Sequence, residues 1–161
     1  MYALDFIGYN YFETQKFIID RPNGLGNYLF LFFISPVHIL IDGQMITTKP
    51  FATVIFRPDT PQYYAHETSG FTNDWFHFTA NKLEEVMASL GLPLDQVFYL
   101  EQTPYIRNFI RDLEFEYKMQ ELAYLENIDA QLTSFFIHLA RTYHHLDEEA
   151  GELCIYVFKI S

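Results

Sequence analysis

The sequence predicts a mainly β domain followed by helices. Three observations carry that expectation. Residues 1–100 alternate short apolar runs with turn-forming clusters. Those runs are rich in aromatic and β-branched residues, which suit a pleated surface. From residue 101 the apolar positions recur every three or four residues, the period of a helix.

The elements follow in order. Phe17–Asp20 is an apolar run closed by Arg21-Pro22-Asn23-Gly24, a turn composition. Tyr28–Ile34 reads as a strand, and so does Val37–Ile41. Asp42-Gly43 is the strongest hairpin signal in the chain, with Ile46–Thr48 returning. Thr53–Phe56 is ended by Arg57-Pro58-Asp59-Thr60-Pro61. Gln62–His66 and Trp75–Thr79 are two further strands, joined by a polar loop through Ser69-Gly70, and Val97–Leu100 is a last one. Many short strands at this spacing predict a sandwich or barrel. One helix interrupts them. It opens over Thr79–Lys82, carries Leu83, Val86, Met87 and Leu90 on one face, and stops at Gly91.

Thr103-Pro104 combines a capping residue with proline at the first helical position. Ile106, Phe109, Ile110, Leu113 and Tyr117 then recur at helical spacing. A second helix is expected from Asn127 or Asp129, with Leu132, Phe135, Phe136, Leu139 and Tyr143 as its stripe. So aromatic a face must cover something, either the β domain or a second copy of the chain. Of the two, pairing is the preferred expectation, through Leu132, Phe136, Leu139 and Tyr143. Residues 151–161 hold an apolar, β-prone run that reads as an edge strand or as the stub of a linker. The expected organisation is a β unit over 1–100, a helical segment over 101–150 and a tail over 151–161.

Composition excludes several classes. With 161 residues the chain makes about one domain. Half of it is hydrophobic and 19% aromatic, with 17 Phe and 12 Tyr, too apolar for disorder. A net charge of −11 repels phosphate backbones, so no nucleic acid is expected to bind this chain directly. A single cysteine, Cys154, lying in an apolar run, excludes an internal disulfide and a cysteine-built metal cage. The first ten residues contain Asp5 and no base, unlike a secretory leader. The longest apolar stretch, Tyr28–Ile41, is broken by Ser35, Pro36 and His38 and falls short of the ~20 residues of a membrane helix. A cytoplasmic protein without a membrane partner is expected.

Catalytic motifs are missing from the sequence. There is no H-x-H, H-E-x-x-H, C-x-x-C or G-x-S-x-G. His144 and His145 are adjacent on a helix, so they diverge by ~100° and read as solvated helix-end residues. His66 and His77, with Glu67, form the one conceivable metal set, against the plainer reading of hydrogen-bonded histidines. Gly24-Leu25-Gly26 lacks a following helix and reads as a turn. No enzyme, metal or cofactor is therefore expected. What remains is a pocket. A small β barrel lined by aromatics holds one small ligand in its mouth. Arg21, Tyr64 and Trp75 are the candidate contacts, a fork of donors and two aromatic faces suited to a sugar or a carboxylate.

Two stretches then resemble a known family. Arg21-Pro22-Asn23-Gly24 with Asn27–Phe33 is similar to the opening of the sensor domain of AraC-type transcription regulators. Arg57–Tyr64 and Asn73–Phe78 resemble the same domain further on, so the likeness covers roughly residues 7–80. It implies a cupin-like, jelly-roll β barrel followed by an antiparallel pair of dimerisation helices. It also implies a small effector, commonly a sugar, and a separate helix-turn-helix domain that binds DNA. No basic helix-turn-helix segment occurs in this sequence, so the expectation is a sensor domain whose DNA-binding domain is missing. By position the family's effector contacts fall on Arg21, Tyr64 and Trp75. His77 joins them on the same strand, and Tyr9, with Tyr11, stands where a lid would form. A metal-dependent cupin enzyme and a pure interaction module are the competing readings.

Overall fold

The chain runs β1 (Tyr2–Glu13), β2 (Phe17–Arg21), β3 (Tyr28–Phe33), β4 (His38–Ile41), β5 (Gln44–Thr47), β6 (Ala52–Phe56), β7 (Gln62–His66), β8 (Phe71–Ala80), α1 (Leu83–Leu90), α2 (Pro104–Met119) and α3 (Tyr124–Ile160). The structure, a computed structural model, describes residues 1–100 and 104–160, with side chains described as far as His145. The strands form two antiparallel sheets of four, ordered β1-β8-β3-β6 and β2-β7-β4-β5.

Local chemistry explains most of the boundaries. Asp42 and Gly43 both take positive φ, 49° and 73°, the pair of left-handed residues that a two-residue hairpin needs. Ile41 then pairs with Gln44 across the turn. Gly24 (φ 73°) could not be another residue, because a Cβ there would lie 2.2 Å from the Pro58 carbonyl oxygen. The backbone N–H groups of Leu25 and Gly26 both donate to that oxygen at 3.0 Å. The two Pro-containing turns are thus locked together. Gly91 ends α1 in the left-handed region as expected, with its N–H on the Ala88 carbonyl. The His144 ring caps the same helix end, its Nε2 2.7 Å from the Leu90 carbonyl oxygen. His144 is exposed, as the sequence suggests, but it lies within α3 and not at its end, and its ring bridges to α1.

The layering follows from β3. Leu29, Leu31 and Phe33 enter a core between the sheets with Val54, Phe56, Ile39, Tyr64 and Phe71. Phe30 and Phe32 point the other way, into a core shared with Phe76, Phe78, Ile106, Leu113, Leu132 and Phe136. The order is sheet, sheet, helices. A strand buried on both faces shows an unbroken apolar run, as Leu29–Phe33 does.

Four expectations are corrected. The sheets do not close into a barrel, since among the described residues no ladder joins β1 to β2 or β5 to β6. Side chains that line a cavity, described below, stand between the β1 and β2 edges. The stripe on α3 is not an open pairing face, because Leu132, Phe136 and Leu139 are fully buried in this chain's own core. Tyr143 lies half-buried against it, its ring 5.3 Å from Phe98. The sheet face was large enough to take both helices, which pack antiparallel, Tyr105 meeting His138 and Phe109 meeting Phe135. Val97–Leu100 is not a strand, and its Phe98 makes a lone bridge to Thr53. The tail is not an edge strand, since α3 continues through Ile160. The readings on Thr103 and on the Cys154 thiol lie outside the described residues.

The strand that sequence reading missed is β1. It pairs along β8 from Tyr2↔Ala80 to Glu13↔Phe71, with register shifts between Leu4 and Phe6 and between Gly8 and Tyr11. Each shift swaps which side chains face which layer. Tyr2, Leu4, Ile7 and Tyr9 pack toward the helices, whereas Phe6 and Tyr11 face the opposite side.

Candidate functional site

Alternation along β8 divides its side chains between two layers. Phe76 and Phe78 go to the helical core. Asn73, Trp75 and His77 go to a cavity of about 250 Å³ between the sheets. Tyr64 from β7 enters it, along with Phe17, Ile19 and Arg21 from β2 and Leu29 from β3. Phe6 and Tyr11 close its rim and remain 62% and 42% exposed, so the cavity has an open mouth at the β1–β2 edge.

The polar groups are few and fixed. Arg21 Nη1 donates to Gln62 Oε1 at 3.0 Å and lies 3.5 Å from the Tyr64 hydroxyl. Burial pushes the Tyr64 hydroxyl up from its ordinary range, and the nearby Arg21 charge partly offsets this. His77 is pushed down to about 4, first by burial and then by the Arg21 charge. Its imidazole is therefore neutral at neutral pH and offers one donor and one acceptor. Asn73 is 2% exposed, and its side-chain oxygen has no hydrogen-bond partner. A buried acceptor without a protein donor is costly, and this side chain lies on the cavity face of β8.

The aromatic wall is Trp75. Its ring packs edge-on against His77 (5.0 Å between centroids) and against Tyr11 (6.4 Å). Gly8, paired with Trp75 across the ladder, makes room for the indole. A Cβ at Gly8 would lie 2.5 Å from Trp75 Cε2.

The structure thus brings five of the residues singled out in the sequence to one cavity: Arg21, Tyr64, Trp75 and His77, with Tyr11 at the rim. Tyr9 is corrected. The shift between Leu4 and Phe6 puts it with Ile7 on the helical side, where Arg107 Cζ lies 5.4 Å from its ring centroid. Asn73, Phe6 and Phe17 were missed. Asn73 had a legible signal, since it stands two residues before Trp75 on one strand and so shares its face.

His66 and His77 do not join in a metal set. The His66 ring contacts the Pro36 carbonyl oxygen at 2.7 Å and the Thr68 hydroxyl at 3.0 Å. Among the described residues no three His, Cys, Asp or Glu side chains are grouped as a metal would require. A larger cleft, about 570 Å³, lies at the other end of the sandwich. Its cation, Arg57, is already neutralised by Asp95 at 2.6 Å and Glu84 at 3.3 Å. No protein-family model matches this chain, and no curated protein matches it. Among the described residues no helix is long and apolar enough to cross a membrane.

Proposed function

We propose that this chain is the effector-sensing and dimerisation domain of an AraC-type transcription regulator, and that one small molecule, a sugar or a related compound, binds between its sheets. The observation that carries the reading is the convergence of Arg21, Tyr64, Trp75 and His77 on one open-mouthed cavity. The strand order supports a cupin-like jelly roll. Pairing β1 with β8, β3 with β6, β2 with β7 and β4 with β5 is what two Greek keys produce. The helices support a route for the signal, because β1 faces the cavity on one side and α2 and α3 on the other. DNA contact would belong to a separate domain.

Pairing would use the surface that the core leaves open. Phe115, Met119, Leu122 and Leu125 cluster at the turn between α2 and α3, and Leu122 is 99% exposed. Light scattering on Leu122→Glu tests this: the wild type is expected as a dimer and the variant as a monomer. A monomeric wild type at high concentration removes the dimerisation half of the reading.

A thermal-shift scan against monosaccharides, sugar acids and small carboxylates tests the sensor half. A ligand at 100 times its dissociation constant adds about 2.7 kcal/mol. For a chain of this size that raises the melting temperature by roughly 5–10 °C. The rise should vanish in Trp75→Ala. A flat response across the whole panel overturns the reading.

A further inference from the structure

The geometry points to a ligand that carries a carboxylate on a small flat apolar body, with the carboxylate held by Arg21. This rests on the cavity being an effector site, as proposed above, and it favours an acid over a neutral sugar. The first ground is charge. Among the described residues no carboxylate lies within 4.0 Å of the Arg21 guanidinium, although Arg57, Arg107 and Arg111 each have one. Arg21 donates only to neutral oxygens, those of Gln62 and Tyr64. No Asp or Glu is among the residues that line the cavity. In a chain of net charge −11, a cation left without an acid inside an aromatic cleft is a site for an anion.

The second ground is the polar inventory. A monosaccharide brings roughly five hydroxyls, and each one buried without a partner loses on the order of 1–3 kcal/mol. The cavity offers Arg21, Tyr64, Asn73 and His77, with the Tyr11 hydroxyl at the rim already donating to Glu13, against a wall that is otherwise aromatic and aliphatic. A flat ring suits that wall, since Phe6, Phe17 and Trp75 line it. The third ground is size. A cavity of roughly 150 Å³ takes up benzene. About 250 Å³ therefore leaves space for a ring, a carboxylate and one further substituent. A hydroxyl as that substituent would supply the donor that the Asn73 oxygen lacks.

Calorimetry on the full chain tests this with benzoate, 4-hydroxybenzoate and 3-phenylpropionate, each beside its uncharged amide, and with arabinose and glucose. At least one acid is expected to bind about tenfold or more tighter than its amide. In Arg21→Gln the acid and its amide should bind within about threefold of each other. Arg21→Lys keeps the charge and should keep part of the preference, which guards against a variant that merely unfolds. Equal binding of acids and amides, or binding of the sugars alone, overturns the carboxylate and leaves the sensor standing. Binding of none of the panel, by a wild type with a normal melting transition, overturns both.

Discussion

Gly8 and Trp75 fix one another across the β1–β8 ladder. A methyl group at Gly8 would enter the indole, so Gly8→Ala must displace that ring. The indole is the wall of the cavity, and the displacement is expected to weaken ligand binding by about tenfold. Stability should fall by only ~1–3 kcal/mol, the usual range for overpacking. Calorimetric titration beside urea unfolding checks the pair of effects. Equal affinity in Gly8→Ala would mean that Trp75 does not contact the ligand. His77 gives a second residue-scale expectation. Its folded value is about 4 against an ordinary 6.5, so between those pH values the unfolded chain takes up a proton that the folded chain refuses. The stability is fully present above pH 6.5 and is lost as pH falls toward 4. From pH 7 to pH 5 that amounts to about 2 kcal/mol. Asp74, raised by burial, works in the opposite sense where it titrates, because the folded chain then holds its proton more tightly. The difference between wild type and His77→Gln isolates His77, and identical pH profiles for the two would show that this imidazole is solvated.

At the scale of elements, β1 is what ties the cavity to the helices. Its two register shifts let one strand serve two layers, and polar contacts bolt it down from the helical side. The Tyr2 N–H donates to Asp129 at 2.6 Å, the Tyr9 N–H to Glu114 at 2.8 Å, and the Tyr117 hydroxyl to the Asp5 carbonyl at 2.9 Å. At the second shift the fully buried Asp74 accepts from the Asn10 N–H at 2.6 Å and from Arg107 Nε at 3.0 Å. Arg107→Leu strands that carboxylate, and a loss of about 3–5 kcal/mol is expected. Adding Asp74→Asn should restore part of it, with a coupling of ~1 kcal/mol or more in the cycle. Simple additivity in urea unfolding would show that the pair is not coupled. These same contacts explain what the sequence concealed. Strands with a turn at each end, such as Phe17–Arg21 and Gln62–His66, were legible from punctuation and from short apolar or aromatic runs. β1 was not, because each shift breaks the alternation of two that marks a half-buried strand. Its left-handed Asn10 (φ 52°) looks like any other polar residue. Arg21, Tyr64, Trp75 and His77 stood out by residue type and by the resemblance, wherever their strands lie, whereas Asn73, on the same strand as Trp75, and Phe6, brought in by the pairing of β1 with β8, did not.

For the whole molecule, the question is what an aromatic helix stripe is for. Periodicity shows that a face must be covered and is silent on what covers it. Here the sheet itself has two apolar faces, so one chain supplies both the stripe and its cover. Tyr2 and Phe136 stack at 5.5 Å, and Phe30 meets Phe135 edge-on at 5.2 Å. Phe76, from the same strand as Trp75, contacts both Phe135 and Phe136. Neighbouring residues of β8 therefore report to the cavity on one side and to α3 on the other. This separates two outcomes for Phe136→Ala. If the stripe were a pairing face, the variant would dissociate a dimer and leave the fold intact. As a core residue, its loss opens a cavity and removes about 3–5 kcal/mol of folding stability at constant oligomeric state. Chemical unfolding followed alongside light scattering distinguishes them. A monomeric Phe136→Ala of undiminished stability would return the stripe to the interface. The expected result, a destabilised chain of unchanged assembly, would leave pairing to the exposed turn around Leu122. It would also make α3 the inner support of the strand that carries Trp75.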